Sequence, residues 1–281
     1  MTATAATNIR DRRRRHTAAL LCAPLVALLS SATAVAKAPV TTTVAASIAY
    51  TDGSKNTVPV WKDIRLTIKL GDQLLVNDQP LPDAALDSVF HAPTLLAVDL
   101  DDDTEAEVIV DVFTGGVDCC TRSVVYHRTG VTYTTQVLTW PTTGYRLANV
   151  AGSEAPEFVA ADARVPAIWN SDARGPVRAL GLRNGKISDL SRRATKLLRS
   201  DARIHQKALR TLRRKQVGDT RPIIAAYAAD LVRLGQAGEA RRAIAVAARR
   251  HELRGSAKRF ARTLDRAFKR WGISKRRQLS S

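Results

Sequence analysis

The stretch from Leu95 to Cys120, LLAVDLDDDTEAEVIVDVFTGGVDCC, holds the residues best suited to chemistry. Asp99, Asp101, Asp103 and Glu107 stand at loop positions one, three, five and nine, and no basic residue lies between Asp99 and Asp111. Carboxylates gathered this closely repel one another unless a cation sits among them. Alternate loop residues can turn their side chains to one centre, and Ca²⁺ takes six to eight oxygen ligands in flexible geometry. The spacing therefore predicts a bound ion, with Ca²⁺ as the natural candidate. It points to no reaction and no substrate. Such an ion would fix the loop rather than perform catalysis. The competing reading is a solvated Asp-rich turn closed by side chain–backbone hydrogen bonds.

Cys119 and Cys120 follow the Gly115-Gly116 bend and are the cysteines left if a leader carrying Cys22 is removed. In an oxidising compartment they pair with each other or between molecules. A disulfide between neighbours joins Cα atoms about 3.8 Å apart, closer than such bonds prefer, so either a labile redox bond or a rigid turn fits. His91 and His127 are isolated in the sequence and read as packed or surface histidines. G-x-S-x-G, H-E-x-x-H, P-loop and G-x-G-x-x-G patterns are missing. A secreted hydrolase using β units as scaffold is the alternative function, its groups assembled from distant positions.

Strands must position the acidic loop. Ile64 to Leu70 alternates apolar and polar residues, and Gly71-Asp72 turns it into Leu74-Leu75-Val76. Glu107 to Phe113 presents valines on one face and Ile109 on the other, which predicts a strand covered on both sides. Segments 123–127 and 131–138 form a hairpin at Thr129-Gly130, with later strands at 158–161, 167–169 and 177–182. An echo at an offset of 50 aligns residues 96–110, LAVDLDDDTEAEVIV, with residues 146–160, RLANVAGSEAPEFVA. In the second copy Asn149, Ala151 and Ser153 replace aspartates, whereas Glu157 matches Glu107. Repeats of this period suggest blade-like β units, too few in two copies to close a propeller.

Charge divides the chain. Residues 37–189 hold 13 Lys and Arg against 19 Asp and Glu, whereas residues 190–281 hold 26 against 6. Beyond Asp189 the period becomes helical. Arg192, Lys196, Arg199, Arg203, Lys207, Arg210 and Arg214 mark one cationic face, with Ala194, Leu197, Leu198, Ile204, Ala208, Leu209 and Leu212 opposite. This face suits an anionic cell-wall polymer or an anionic lipid surface; docking on the acidic β part of the same chain is a further reading. Further helices carry the chain to a tail, Lys275-Arg276-Arg277, expected to fray.

Residues 1–36 read as an export signal. Five arginines precede the apolar run Thr17–Leu29, and Ala34-Val35-Ala36 offers a cleavage pattern. The run is short for a transmembrane helix, so the expectation is a secreted or cell-surface protein without a span after signal removal. Export disfavours nucleic acid as a partner.

At DLDDDTEAEVIVDVFTGGVDCC the chain resembles FG-GAP and VCBS-type repeats of secreted actinobacterial proteins, whose loop reads D-x-D-G-D-G-x-x-E/D. Asp102 and Thr104 stand where the repeats have glycines. The resemblance covers roughly residues 64–182 and includes a subgroup with a T-G-G-x-x-C-C segment, matched at Thr114 to Cys120. It implies Ca²⁺ ligands at Asp99, Asp101, Asp103 and Glu107, with the backbone carbonyl of Glu105 between them. Tyr227 to Ala240 is similar to a tetratricopeptide helix pair. The expected fold is α+β: a signal (1–36), an antiparallel β domain of propeller-blade-like units (37–189) and a basic helical bundle (190–281). The expected function is non-catalytic binding or structural work at the cell surface.

Overall fold

The structure is a computed structural model that describes residues 2–3, 44–54, 59–80, 88–115, 119–141, 143–216 and 218–280. Nearly all of the expected signal lies outside the described residues. Three antiparallel sheets follow one another along the chain. The first joins β1 (Thr2–Ala3), β2 (Val44–Asp52), β3 (Val60–Leu70) and β4 (Gln73–Asp78) in that order, with β5 (Ser88–Val89) pairing β3. The second is a meander of β6 (Thr94–Val98), β7 (Glu107–Phe113), β8 (Cys119–Thr129) and β9 (Thr132–Pro141). The third repeats it with β10 (Arg146–Ala148), β11 (Glu157–Ala161), β12 (Val177–Arg183) and β13 (Lys186–Asp189).

The side-chain period explains how the sheets stack. On β3, Ile64, Leu66 and Ile68 point inward while Arg65 and Lys69 face solvent. The inward set packs on Val108, Val110, Val112, Val124 and Tyr126 of the second sheet. The other face of that sheet, through Ile109, Val125 and Trp140, packs on Phe158, Ala160, Leu180 and Leu182 of the third. β7 is thus covered on both faces, as its near-continuous apolar run requires. Trp140, Tyr145 and Phe158 form an aromatic knot between these layers, with centroids 4.8 to 5.5 Å apart. Two-residue turns close the hairpins. Asn184 and Gly185 both take left-handed backbone, at φ of 51° and 70°, as a tight turn between twisted strands demands. The β8–β9 turn is Gly130-Val131, one residue later than expected.

The third sheet turns its remaining face, Val159 and Val177, to Leu197, Leu198 and Leu234 of the helices. These are α2 (Thr195–Lys215), α3 (Arg221–Arg233), α4 (Ala237–Arg249) and α5 (Ala257–Arg270), and a short α1 (Arg164–Ala167) bridges β11 and β12. α3 is the buried centre, its Ala225, Ala226, Ala228 and Ala229 allowing close approach from all sides. It ends in a Schellman turn: Gly235, at φ 79°, donates to the Val232 carbonyl and Gln236 donates to that of Leu231. No described helix is long and apolar enough to cross a membrane.

Three local expectations change. The segment at 167–169 is the end of α1 and the turn after it, not a strand; Pro166 lacks the N–H a ladder needs and suits a first helical turn, and Trp169 stacks on Phe260 at 5.2 Å. α2 starts at Thr195 rather than Arg192, because Ser191 is drawn to β12, its hydroxyl accepting the Ala179 N–H. The tail is tied down, since Asp265 accepts the N–H groups of Gln278, Leu279 and Ser280. Phe158 is fully buried between two sheets, so Phe158→Ala should cost about 3–5 kcal/mol, read as a lower urea midpoint at unchanged slope.

Candidate metal centre

Residues 99–106 connect β6 to β7, and Asp99 organises them. Its Oδ1 accepts the N–H groups of Asp101 (3.2 Å) and Asp102 (2.6 Å), and its Oδ2 accepts that of Thr104 (2.9 Å). Asp103 accepts the Glu105 N–H at 2.8 Å. The backbone is left-handed at Asp102 (φ 68°) and Thr104 (φ 74°), the two positions where the resembling repeats carry glycine. The turn is therefore kept at the strain cost a side chain imposes there.

Glu107 opens β7 and is 1% exposed. Its Oε2 accepts the Leu100 N–H at 2.6 Å, and its Oε1 lies 3.1 Å from His127 Nδ1. Asp101 Oδ2 lies 3.9 Å from the same nitrogen, while Asp101 Oδ1 is buried without a hydrogen-bond partner. Asp99, Asp101 and Asp103 bring a carboxylate oxygen each to within 4.8 Å of one another, and Asp101, Glu107 and His127 form a second such group. Burial, chiefly, pushes Glu107 up to about 7, against the pull of the Leu100 N–H and His127. Asp101 is raised by burial and then by the neighbouring charge of Asp103. The expected ligand residues thus fall into two overlapping groups that share Asp101, with Asp99 and Asp103 in one and Glu107 beside His127 in the other, while the Glu105 side chain pairs with Arg128 at 2.9 Å.

His127 was legible only as an isolated histidine. Strand register supplies it: beyond the Val108–Tyr126 pair it lies across from Glu107. The second copy shows what that arrangement lacks. Glu157, also buried, accepts the Val150 (2.8 Å) and Ala151 (3.2 Å) N–H groups and the Ser153 hydroxyl (2.8 Å). Beyond the Phe158–Leu180 pair stands Gly181, where a Cβ would come 3.3 Å from Glu157 Cγ. Arg183 then reaches over, 3.4 Å from Glu157 and 2.6 Å from the Ser153 hydroxyl. The second loop carries its own guanidinium. The first has several carboxylates and, at its centre, only His127.

A second cluster escaped the sequence reading. Asp201, His205 and Asp230 are buried where the helices meet the third sheet. His205 Nδ1 lies 2.9 Å from Asp230 and 3.7 Å from Asp201, and its Nε2 lies 3.2 Å from the Arg174 carbonyl. Burial works to lower the His205 pKa, but Asp230 and Asp201 outweigh it and raise it. Both ring nitrogens are thus engaged within the protein, at Asp230 and at the Arg174 carbonyl. Asp201 also accepts the Val177 N–H at 2.6 Å, and Arg233 donates to the Val177 carbonyl at 2.8 Å and to Asp162 at 3.3 Å. This cluster fastens helices to sheet. The signal was polar residues at 201 and 205 on the inward side of α2, where Ile204, assigned to that side, is 44% exposed.

The predicted cationic face does not dock on the β part. Arg192, Lys196, Arg199, Arg203, Lys207, Arg210 and Arg214 are all exposed, and none forms an ion pair among the described residues. Cys119 begins β8 opposite Pro141 and Cys120 falls at the register shift before the Thr121–Trp140 pair; their side chains fall outside the described residues. No family model, curated protein or solved structure matches the chain.

Glu107 gives the site a pH signature. Between its ordinary 4.5 and about 7, the folded protein keeps a proton that the unfolded chain has released. That contribution to stability is full below the window and lost as pH rises through about 7. Melting temperature in chelator should fall across this range, and Glu107→Gln should remove that part of the slope; an unchanged slope would assign the titration elsewhere.

Proposed function

We propose that the protein is an exported, non-catalytic binding or structural protein of the cell surface whose β part is fastened by Ca²⁺ in the loop 99–107. One observation carries this reading. Two loops share a frame and a buried glutamate, and in the one that kept its aspartates no arginine among the described residues pairs with that glutamate, Arg128 pairing with Glu105 instead. The residues fit the ion: Asp101 Oδ1 is buried and unpartnered, three carboxylates converge, and the left-handed turns are maintained without glycine. Asp99, Asp101, Asp103 and Glu107 would hold Ca²⁺ with the Glu105 carbonyl, and the ion would supply the charge that Arg183 supplies next door. Asp99 and Glu107 keep lone pairs beyond those their N–H partners use.

The stacked four-stranded meanders support a reading as propeller-blade-like units of the FG-GAP and VCBS kind. The leader composition supports export, and the exposed face of α2 offers an anionic wall polymer or anionic lipid six cations without an ion pair among the described residues, with Arg192 just before the helix. The hydrolase alternative draws less support. A groove of about 1300 Å³ between third sheet and helices has Asp172 as its single lining carboxylate and no histidine.

Calcium calorimetry with parallel melts tests the metal reading. Saturable heat and a raised melting temperature are expected, worth about 2.7 kcal/mol at a hundredfold excess over Kd, and both should vanish in Asp101→Ala. Silence up to millimolar calcium, the ordinary range for extracellular sites, would reduce the loop to a hydrogen-bonded turn.

A further inference from the structure

The last helix and the tail gather positive charge that no described residue neutralises. Lys258, Arg259, Arg262 and Arg266 lie along one side of α5, Arg277 joins them from the tail, and together they wall a concavity of about 550 Å³. None of the five side chains has an ion-pair or hydrogen-bond partner among the described residues. The nearest acid cannot help. Asp265, the one carboxylate of α5, is turned inward to the N–H groups of Gln278 (2.9 Å), Leu279 (3.0 Å) and Ser280 (2.9 Å) and to the Ser280 hydroxyl (2.6 Å). Those bonds hold the tail against the helix and so bring Arg277 to the rim. Ser256 caps α5, its hydroxyl accepting the Arg259 N–H at 3.2 Å, so the positive end of the helix dipole opens on the same space.

Five cations around one concavity repel unless an anion lies among them. Guanidinium forks match phosphate oxygens in pairs, and five positive charges call for more negative charge than one phosphate carries. The lining also excludes alternatives. It holds no aromatic ring on which a nucleobase would stack and no aliphatic wall for an acyl chain, only cations and the two serines. We propose that this concavity binds a ligand carrying several phosphates in close succession, gripped by Arg259, Arg262, Arg266, Arg277 and Lys258. Asp265 acts as a positioning residue that holds the fifth cation in place. The site is independent of both the metal loop and the α2 face.

Inorganic tripolyphosphate is the probe, titrated calorimetrically into the protein at moderate salt. Saturable binding near one per chain is expected, weakening about tenfold or more in Arg262→Gln/Arg266→Gln. The matched pair Arg65→Gln/Lys69→Gln, exposed on β3, should leave affinity within about twofold, although it removes the same charge. Asp265→Asn adds net positive charge, yet should weaken binding by freeing the tail; melts confirm that each variant is folded. No saturable heat, equal loss in both double variants, or tighter binding in Asp265→Asn would each overturn the site. Phosphatidylcholine vesicles carrying phosphatidylglycerol distinguish the source: if they displace the probe the phosphates are lipid headgroups, and if not they belong to a soluble chain.

Discussion

A carboxylate buried at the foot of a strand must collect donors or a cation, and both repeats of this protein are arranged around that requirement. Glu107 and Glu157 each sit at the first residue of an inner strand and take the N–H of the residue two places after the preceding strand. This bond closes the loop and fixes the strand register below it. Hydrogen bonds alone leave the charge itself uncompensated in a low-dielectric setting. The two copies answer that differently. One borrows a guanidinium from the next hairpin; the other gathers carboxylates around a histidine.

The frame was legible in the sequence because it is local. The offset of 50, the alternation on β3 and the two-faced valine run on β7 each depend on near neighbours, and each is found in the structure. The partners of the two glutamates were not legible. His127 and Arg183 lie 20 and 26 residues away, and only strand pairing brings them in. Pro166 was a readable breaker immediately before the segment misassigned as a strand. The inward side of α2 was misdrawn by one position because Asp201 and His205 replace apolar residues there, and a polar pair on an otherwise apolar side is itself a sign of a buried network.

That network explains how the acidic sheets and the basic helices meet without using their surface charge. β12 begins three residues before its pairing with β13, and on that side Val177 has both backbone groups taken by helical side chains: Asp201 accepts from its N–H and Arg233 donates to its carbonyl. Around them Asp162, Asp230, His205 and Arg174 balance one another within a few ångströms. Leu197, Leu198 and Leu234 add apolar contact. The cations of α2 are therefore left outside, and the helices meet the sheet on their least charged side.

Sheet order in space follows order in the chain, each meander being complete once its own last strand is made. A chain delivered from its N-terminus can thus close the first and second layers while the rest is still to come, with short loops and little entropy lost to distant pairing. The third layer is the exception. Val159 and Val177 stay bare, and the Val177 backbone groups unmatched, until α2 and α3 arrive. The vulnerable interval in the life of this molecule is the one between the emergence of residue 189 and that of residue 234, when an apolar sheet face is open to any other strand nearby.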